Sequence, residues 1–93
     1  MYDIQPYTYN QAKELGVIVK PSVKANKKID VFDKRDNQYI TSVGDIRYGD
    51  YGLYLKYYGK DYADNRRKAF HKRFKTNEVK PYTNLYFSSK LLW

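Results

Sequence analysis

The residues that could do chemistry are few in this chain, and their spacing argues against most of it. His71 is the only imidazole among 93 residues, Asp64 precedes it by seven positions, and there is no cysteine. Acid–base catalysis needs a partner within hydrogen-bond reach, and no nucleophile is marked out beside His71, so a surface or packing role is expected for it. Gly44 and Gly49 have the spacing of a phosphate-binding loop, but Asp50 and Tyr51 follow where that loop requires lysine and a hydroxyl. Nucleotide hydrolysis has no support. Asp30, Asp33 and Asp36 superficially suggest calcium, yet the glycine and terminal glutamate of such a loop are missing, and turn chemistry explains them better. Without cysteine there is neither a disulfide nor a thiolate metal site, and one histidine cannot build an imidazole cage. No catalytic residue, metal, cofactor or small-molecule substrate is predicted.

The residue types do support recognition of an anion. Eighteen Lys and Arg stand against ten Asp and Glu, a formal charge of +8. The excess is local: residues 1–50 hold eight basic and seven acidic side chains, whereas residues 51–93 hold ten basic against Asp61, Asp64 and Glu78. Charge concentrated on one half steers anionic surfaces toward that half. Arg66, Arg67, Lys68, Lys72, Arg73 and Lys75 are the candidates to face nucleic acid or an acidic protein surface. Tyrosine is the second ingredient, with 12 residues. Tyr51, Tyr54 and Tyr58 fall three or four residues apart, a stripe on one helical face, and Leu91-Leu92-Trp93 form an apolar end. These six are the expected protein interface, because tyrosine and other large side chains contribute contact area at modest entropic cost. The same rings could instead stack on unpaired bases or simply pack.

Elements to position these groups follow from the pattern. Residues 1–7, with Pro6, read as an extended arm or lead-in rather than a regular element. Tyr9 to Leu15 reads as a short helix capped by Thr8 or Asn10 and stopped by Gly16. Val17-Ile18-Val19 is a short β-branched run that could supply a third strand, and Lys24 to Lys28 read as a basic surface connector. From Lys28 to Val43 the period is two, which predicts a β-hairpin with Ile29 and Val31 on one face, Tyr39, Thr41 and Val43 returning, and a turn over Asp33 to Asn37. Asp50 is placed to cap a helix over Tyr51 to Tyr58 that ends at Gly59. Asp61 to Lys75 is the clearest helix, acidic at its start and basic toward its end, with Ala63, Phe70 and Phe74 as a core stripe and Lys68, Lys72 and Lys75 opposite. Asp64 is expected to support the helix by pairing with Lys68. Pro81 sets off an apolar docking tail, residues 82–93.

The fold expected is therefore α+β: one small domain, a β-hairpin or three strands packed by two or three short helices. A chain of this size buries only around 60% of its unfolded surface, so stabilising partners or an oligomer are plausible. No run approaches the roughly 20 apolar residues of a bilayer span, and Met1-Tyr2-Asp3 lacks a secretion-signal layout, so a location inside a cell is expected.

From Lys27 onward, over about two-thirds of the chain, the sequence resembles a short basic family encoded mainly by large double-stranded DNA viruses of algae and protists. The resemblance is carried by Lys27-Lys28-Ile29-Asp30-Val31, Ser42-Val43-Gly44, Tyr48-Gly49-Asp50-Tyr51, Tyr54, Gly59-Lys60, Arg66-Arg67-Lys68, Phe70, Lys72-Arg73 and Leu91-Leu92-Trp93. It implies a viral source and a small α+β module, and it transfers no catalytic residue. The expectation that follows is a non-enzymatic virion component, such as a minor capsid, cement or core protein, contacting other virion proteins or viral DNA in the particle or the infected cell. The alternatives are a nucleic-acid-binding accessory protein using the basic helix 61–75, and a regulatory binder of a host protein.

Overall fold

The computed structural model describes Met1 to Trp93, and it is a small α+β domain built on a three-stranded sheet. Helix α1 spans Pro6–Leu15 and starts three residues earlier than the polar caps suggested. Pro6 explains the early start: its fixed φ and missing N–H suit the first helical position. Gly16 stops the helix in the left-handed region (φ 72°), and its N–H reaches back to the carbonyls of Ala12 and Lys13. Strands β1 (Val17–Pro21), β2 (Lys27–Asp33) and β3 (Tyr39–Asp45) then form an antiparallel meander in chain order. The third strand is real, and Asn37 turns the hairpin with φ 60° while Asp33 and Asp36 accept from the N–H groups of Arg35 and Gln38.

The period-two reading fails at one point. Val31 pairs with Thr41 but Phe32 pairs with Tyr39, a slip of one residue. A bulge of this kind reverses which face a side chain occupies. Tyr39 therefore leaves the face of Val43, packs edge-on to Phe32 and hydrogen-bonds Ser42 Oγ at 2.7 Å.

One face of the sheet carries the core. Val17, Val19, Ile29, Val31 and Val43 are buried with Ala12 of α1, Ile4 of the lead-in, and Phe87, Leu91 and Leu92 near the end of the chain. Those last residues belong to a short helix, α4 (Asn84–Phe87), and the π-helical turn Ser88–Leu92. The apolar tail thus docks within its own chain, and the first five residues are a packed lead-in with Ile4 and Gln5 buried, while Pro6 and Tyr7, expected in a non-regular segment, already belong to α1.

The opposite face of β2 is polar and also buried. Asp30 Oδ1 accepts from Ser22 Oγ at 2.6 Å and Ser42 Oγ at 2.5 Å, and its Oδ2 accepts from the Val23 N–H. Burial opposes its ionisation, but these three donors outweigh burial and hold the carboxyl below its usual range. Lys28, expected in a surface connector, is 2% exposed, and its ammonium lies 2.6 Å from Asp50, which is fully buried. Burial pulls the Lys28 pKa down against the stabilising charge of Asp50.

Helix α2 (Tyr51–Tyr58) begins at Asp50, whose Oδ1 accepts from the Leu53 N–H, as the cap position predicts. Gly59 (φ 89°) alone connects it to α3 (Lys60–Phe74), which lies back along α2. Eight residues cannot cover fifteen. Ala63 is fully buried beside α2, but Phe70 is half-buried and Phe74 is 43% exposed, so the expected core stripe is only partly used. The last two turns of α3 outrun α2 and meet Trp93 instead. A left-handed Lys75 ends the helix, and a 3₁₀ turn, Thr76–Glu78, follows.

Removing one member of a buried ion pair strands the other charge, which costs roughly 3–5 kcal/mol. Asp50→Ala is expected to lose about that much, because Lys28, the α2 cap and the Tyr2 hydroxyl all lose their acceptor. Lys28→Met should lose less, since Asp50 keeps two donors. Urea denaturation of both variants measures this, and an equal or larger loss in Lys28→Met would contradict it.

Candidate nucleic-acid interface

Five ion pairs organise the charges: Lys28–Asp50, Arg35–Asp33, Arg47–Asp45, Lys60–Asp64 and Arg67–Asp64. Arg66, Lys68, Lys72, Arg73 and Lys75 appear in none of them, and all five are exposed. Three of the pairs neutralise cations of the first fifty residues. The charge asymmetry read from the chain therefore survives folding and concentrates on α3.

The six basic candidates do not form one surface. At about 100° per residue, Lys68 and Lys72 point away from the Ala63–Phe70 side of α3, while Arg66 and Arg73 border it. Lys75 follows at the left-handed end of the helix. Two acidic residues share the lysine side: Asp61, about two turns before Lys68, and Asp64, one turn before it. Arg67 is spent internally. Its guanidinium lies 3.9 Å from the Tyr51 ring centroid and 3.5 Å from Asp64. Asp64 pairs with Lys60 at 2.5 Å rather than with Lys68, and accepts from the Tyr51 hydroxyl at 2.7 Å. The Lys60 ammonium and the Tyr51 hydroxyl together hold the Asp64 carboxyl below its usual range. The i−4 partner wins because Lys60, in the first turn, shares the flank of Asp64 that faces Tyr51.

The expected protein interface is mostly internal. Tyr51 is 5% exposed and packs edge-on to Tyr7, and Leu91 and Leu92 are core residues. Their apolar surface is consumed by the fold, so none of the three can serve a neighbouring protein. Tyr58 remains 64% exposed, with Tyr54 and Trp93 half-buried. These three belong to a run of ring contacts. Tyr58 stacks on Tyr62 (4.7 Å), Tyr62 meets Tyr54 (5.3 Å), Tyr54 meets Trp93 (5.9 Å), and Trp93 stacks on Phe70 (4.6 Å, 8° between planes). His71 anchors the end of this run, with Nδ1 2.6 Å from Thr76 Oγ1 and Nε2 3.4 Å from the Trp93 carbonyl. It is half-buried, packed edge-on to Phe70.

A groove of about 510 Å³, which sequence reasoning missed, separates the end of α3 from the loop after β3. Its exposed rings are Tyr48 and Phe74, its buried residues include Lys28 and Leu92, and Arg66 and Arg73 line it as well. Asp45 also lines it, but Arg47 binds that carboxylate at 2.6 Å and, through side-chain and backbone hydrogen bonds, holds its pKa to about 2. The only signal in the chain was the pair Gly44 and Gly49, discounted above as a phosphate loop. Gly44 has φ 84°, and a Cβ there would sit 2.7 Å from Leu92 Cδ1 and 2.9 Å from Lys28 Cδ. At Gly49 the backbone lies against the Tyr54 ring, with 2.5 Å left for a Cβ. Gly44 lets the end of β3 approach the tail, and Gly49 lets the loop after it close onto Tyr54 of α2, which together form one wall.

No group of three or more His, Asp or Glu side chains is gathered to hold a metal ion, and no helix is long and apolar enough to cross a membrane. The chain matches no protein-family model, no curated protein and no solved structure. What fold and site define is a class: an α+β module that presents a cationic helix beside an aromatic groove.

Gly44→Ala combines a left-handed backbone with contact against two buried side chains. It is expected to lose roughly 2–4 kcal/mol of stability and to alter the emission of Trp93, which lies in the same wall. Thermal denaturation and tryptophan fluorescence check this. A parent-like melting temperature would show that the loop is not held as described.

Proposed function

We propose that the protein is a non-enzymatic nucleic-acid-binding component that docks the exposed side of α3 on phosphates through Lys68, Lys72 and Lys75. The observation that carries this reading is the gathering of those lysines, with Arg66 and Arg73, on one helix and its end, five exposed cations of which none is in an ion pair. Lysines four residues apart on a helix stand about 6 Å apart along its axis, a row that tracks a backbone rather than clamping a single anion. In the viral setting that the resemblance implies, such a protein is a genome-associated virion component. The reading as a capsid or cement protein gripping neighbours through Tyr51, Leu91 and Leu92 draws no support from the fold, because those side chains are buried.

Binding through phosphates releases counterions, so affinity falls with salt along a slope set by the number of phosphates contacted. Fluorescence anisotropy with labelled DNA across a salt series is expected to show that steep dependence. Replacing Lys68, Lys72 and Lys75 together by glutamine should flatten the slope of log affinity against log salt by roughly 2 to 3. Binding that ignores salt, or a slope the triple variant leaves unchanged, would reject the proposal. The virion setting has its own check: mass spectrometry of purified particles should find the protein, and its absence would restrict it to the infected cell.

A further inference from the structure

The groove beside α3 is not used by a duplex lying on the lysine side, and its chemistry asks for a different form of the same partner. It offers about 510 Å³, a size suited to a small molecule or a single nucleotide. Tyr48 and Phe74 present exposed ring surface, and Phe74 continues the ring run through Phe70 to Trp93. Of the charged side chains lining the groove, Lys28 is committed to Asp50 and Asp45 to Arg47, which leaves Arg66 and Arg73 as the only uncommitted charges. The arginines also lie over aromatic faces, Arg66 5.7 Å from Tyr54 and Arg73 5.3 Å from Phe74. Rings flanked by uncompensated guanidinium groups fit a flat, π-rich ligand attached to phosphate.

Resting on the nucleic-acid reading, we infer that this groove takes an unstacked base of a single strand, with Arg66 and Arg73 on the adjoining phosphates. The placement of the cations around α3 points the same way. Lys72 and Arg73 diverge by about 100° on a helix roughly 10–12 Å across. A stiff duplex meets one side of that cylinder. A flexible strand can follow Lys68 and Lys72, turn past Arg73 and Arg66, and enter the groove. Base stacking on aromatic side chains tolerates any sequence, since every base has a π face, so the preference expected is for strandedness and not for a base order.

The test uses the full chain at low salt with two probes of about twelve nucleotides, an oligothymidylate and a mixed-sequence duplex. Trp93 is the only tryptophan and lines the groove, which makes its fluorescence the reporter. The oligothymidylate is expected to quench Trp93 and to bind several-fold more tightly than the duplex. Phe74→Ala should lower single-strand affinity about ten-fold and bring the ratio of the two affinities toward one. Tyr48→Ala should do the same from the opposite wall, where no helix packing is disturbed. If strand and duplex bind alike, Trp93 stays silent and both variants match the parent, the groove assignment is wrong while the phosphate-docking reading stands. If neither probe binds, both fall together.

Discussion

Asp50 joins three parts of the chain at one fully buried carboxylate. Its Oδ2 takes the ammonium of Lys28 from β2 and the hydroxyl of Tyr2 from the lead-in, and its Oδ1 takes the Leu53 N–H that opens α2. An arrangement of α2 that broke this junction would leave a charge buried without a counter-ion, which makes the competing orientations costly. That constraint matters because α3 packs chiefly on α2, and the α2–α3 pair carries the cations. Further ties include the Tyr7–Tyr51 edge contact, the close approach of Gly52 to Gln5 and the contacts of Trp93 with Phe70, Tyr54 and His71.

The junction also shapes the charge distribution. By taking Lys28 inside, it removes a cation from the groove and leaves the arginines of α3 as the uncommitted charges there. Arg35 and Arg47 are held by the aspartates two residues before each of them, while Lys20, Lys24, Lys27 and Lys34 on and around the sheet are exposed and in no ion pair. The positive charge of α3 is therefore left largely unpaired within the fold, and it spreads around the helix from the lysines to the arginines that border the groove.

Much of this was legible along the chain, and the failures have specific causes. Gly16, Asp50 and Gly59 marked helix ends because the backbone demands at those points are local. Ile29, Val31 and Val43 marked the buried sheet face because strand periodicity is local too. Tyr39 was misplaced, since a bulge changes the face without changing the residues. Lys28 reads as a surface residue along the chain because its partner lies 22 positions away. Phe74 was assigned to the core because helical periodicity shows which side is apolar and not whether anything stands there to cover it. The groove had no linear signature. Its walls come from the loop after β3, the end of α3 and the last residues of the chain, and they meet only once the sheet has brought the first and last of these together.

Composition and spacing alone determined the α+β class, the helix boundaries set by glycine and aspartate, the absence of a recognisable catalytic motif and the concentration of cations after residue 50, because each depends on neighbours within a few residues or on a simple count. Tertiary structure decided which cations stay free, which aromatic rings are accessible and where a cavity opens. Those properties depend on pairing and burial between distant segments: the same lysine is a solvated charge at position 72 and a buried half of an ion pair at position 28, and nothing in its immediate sequence distinguishes the two.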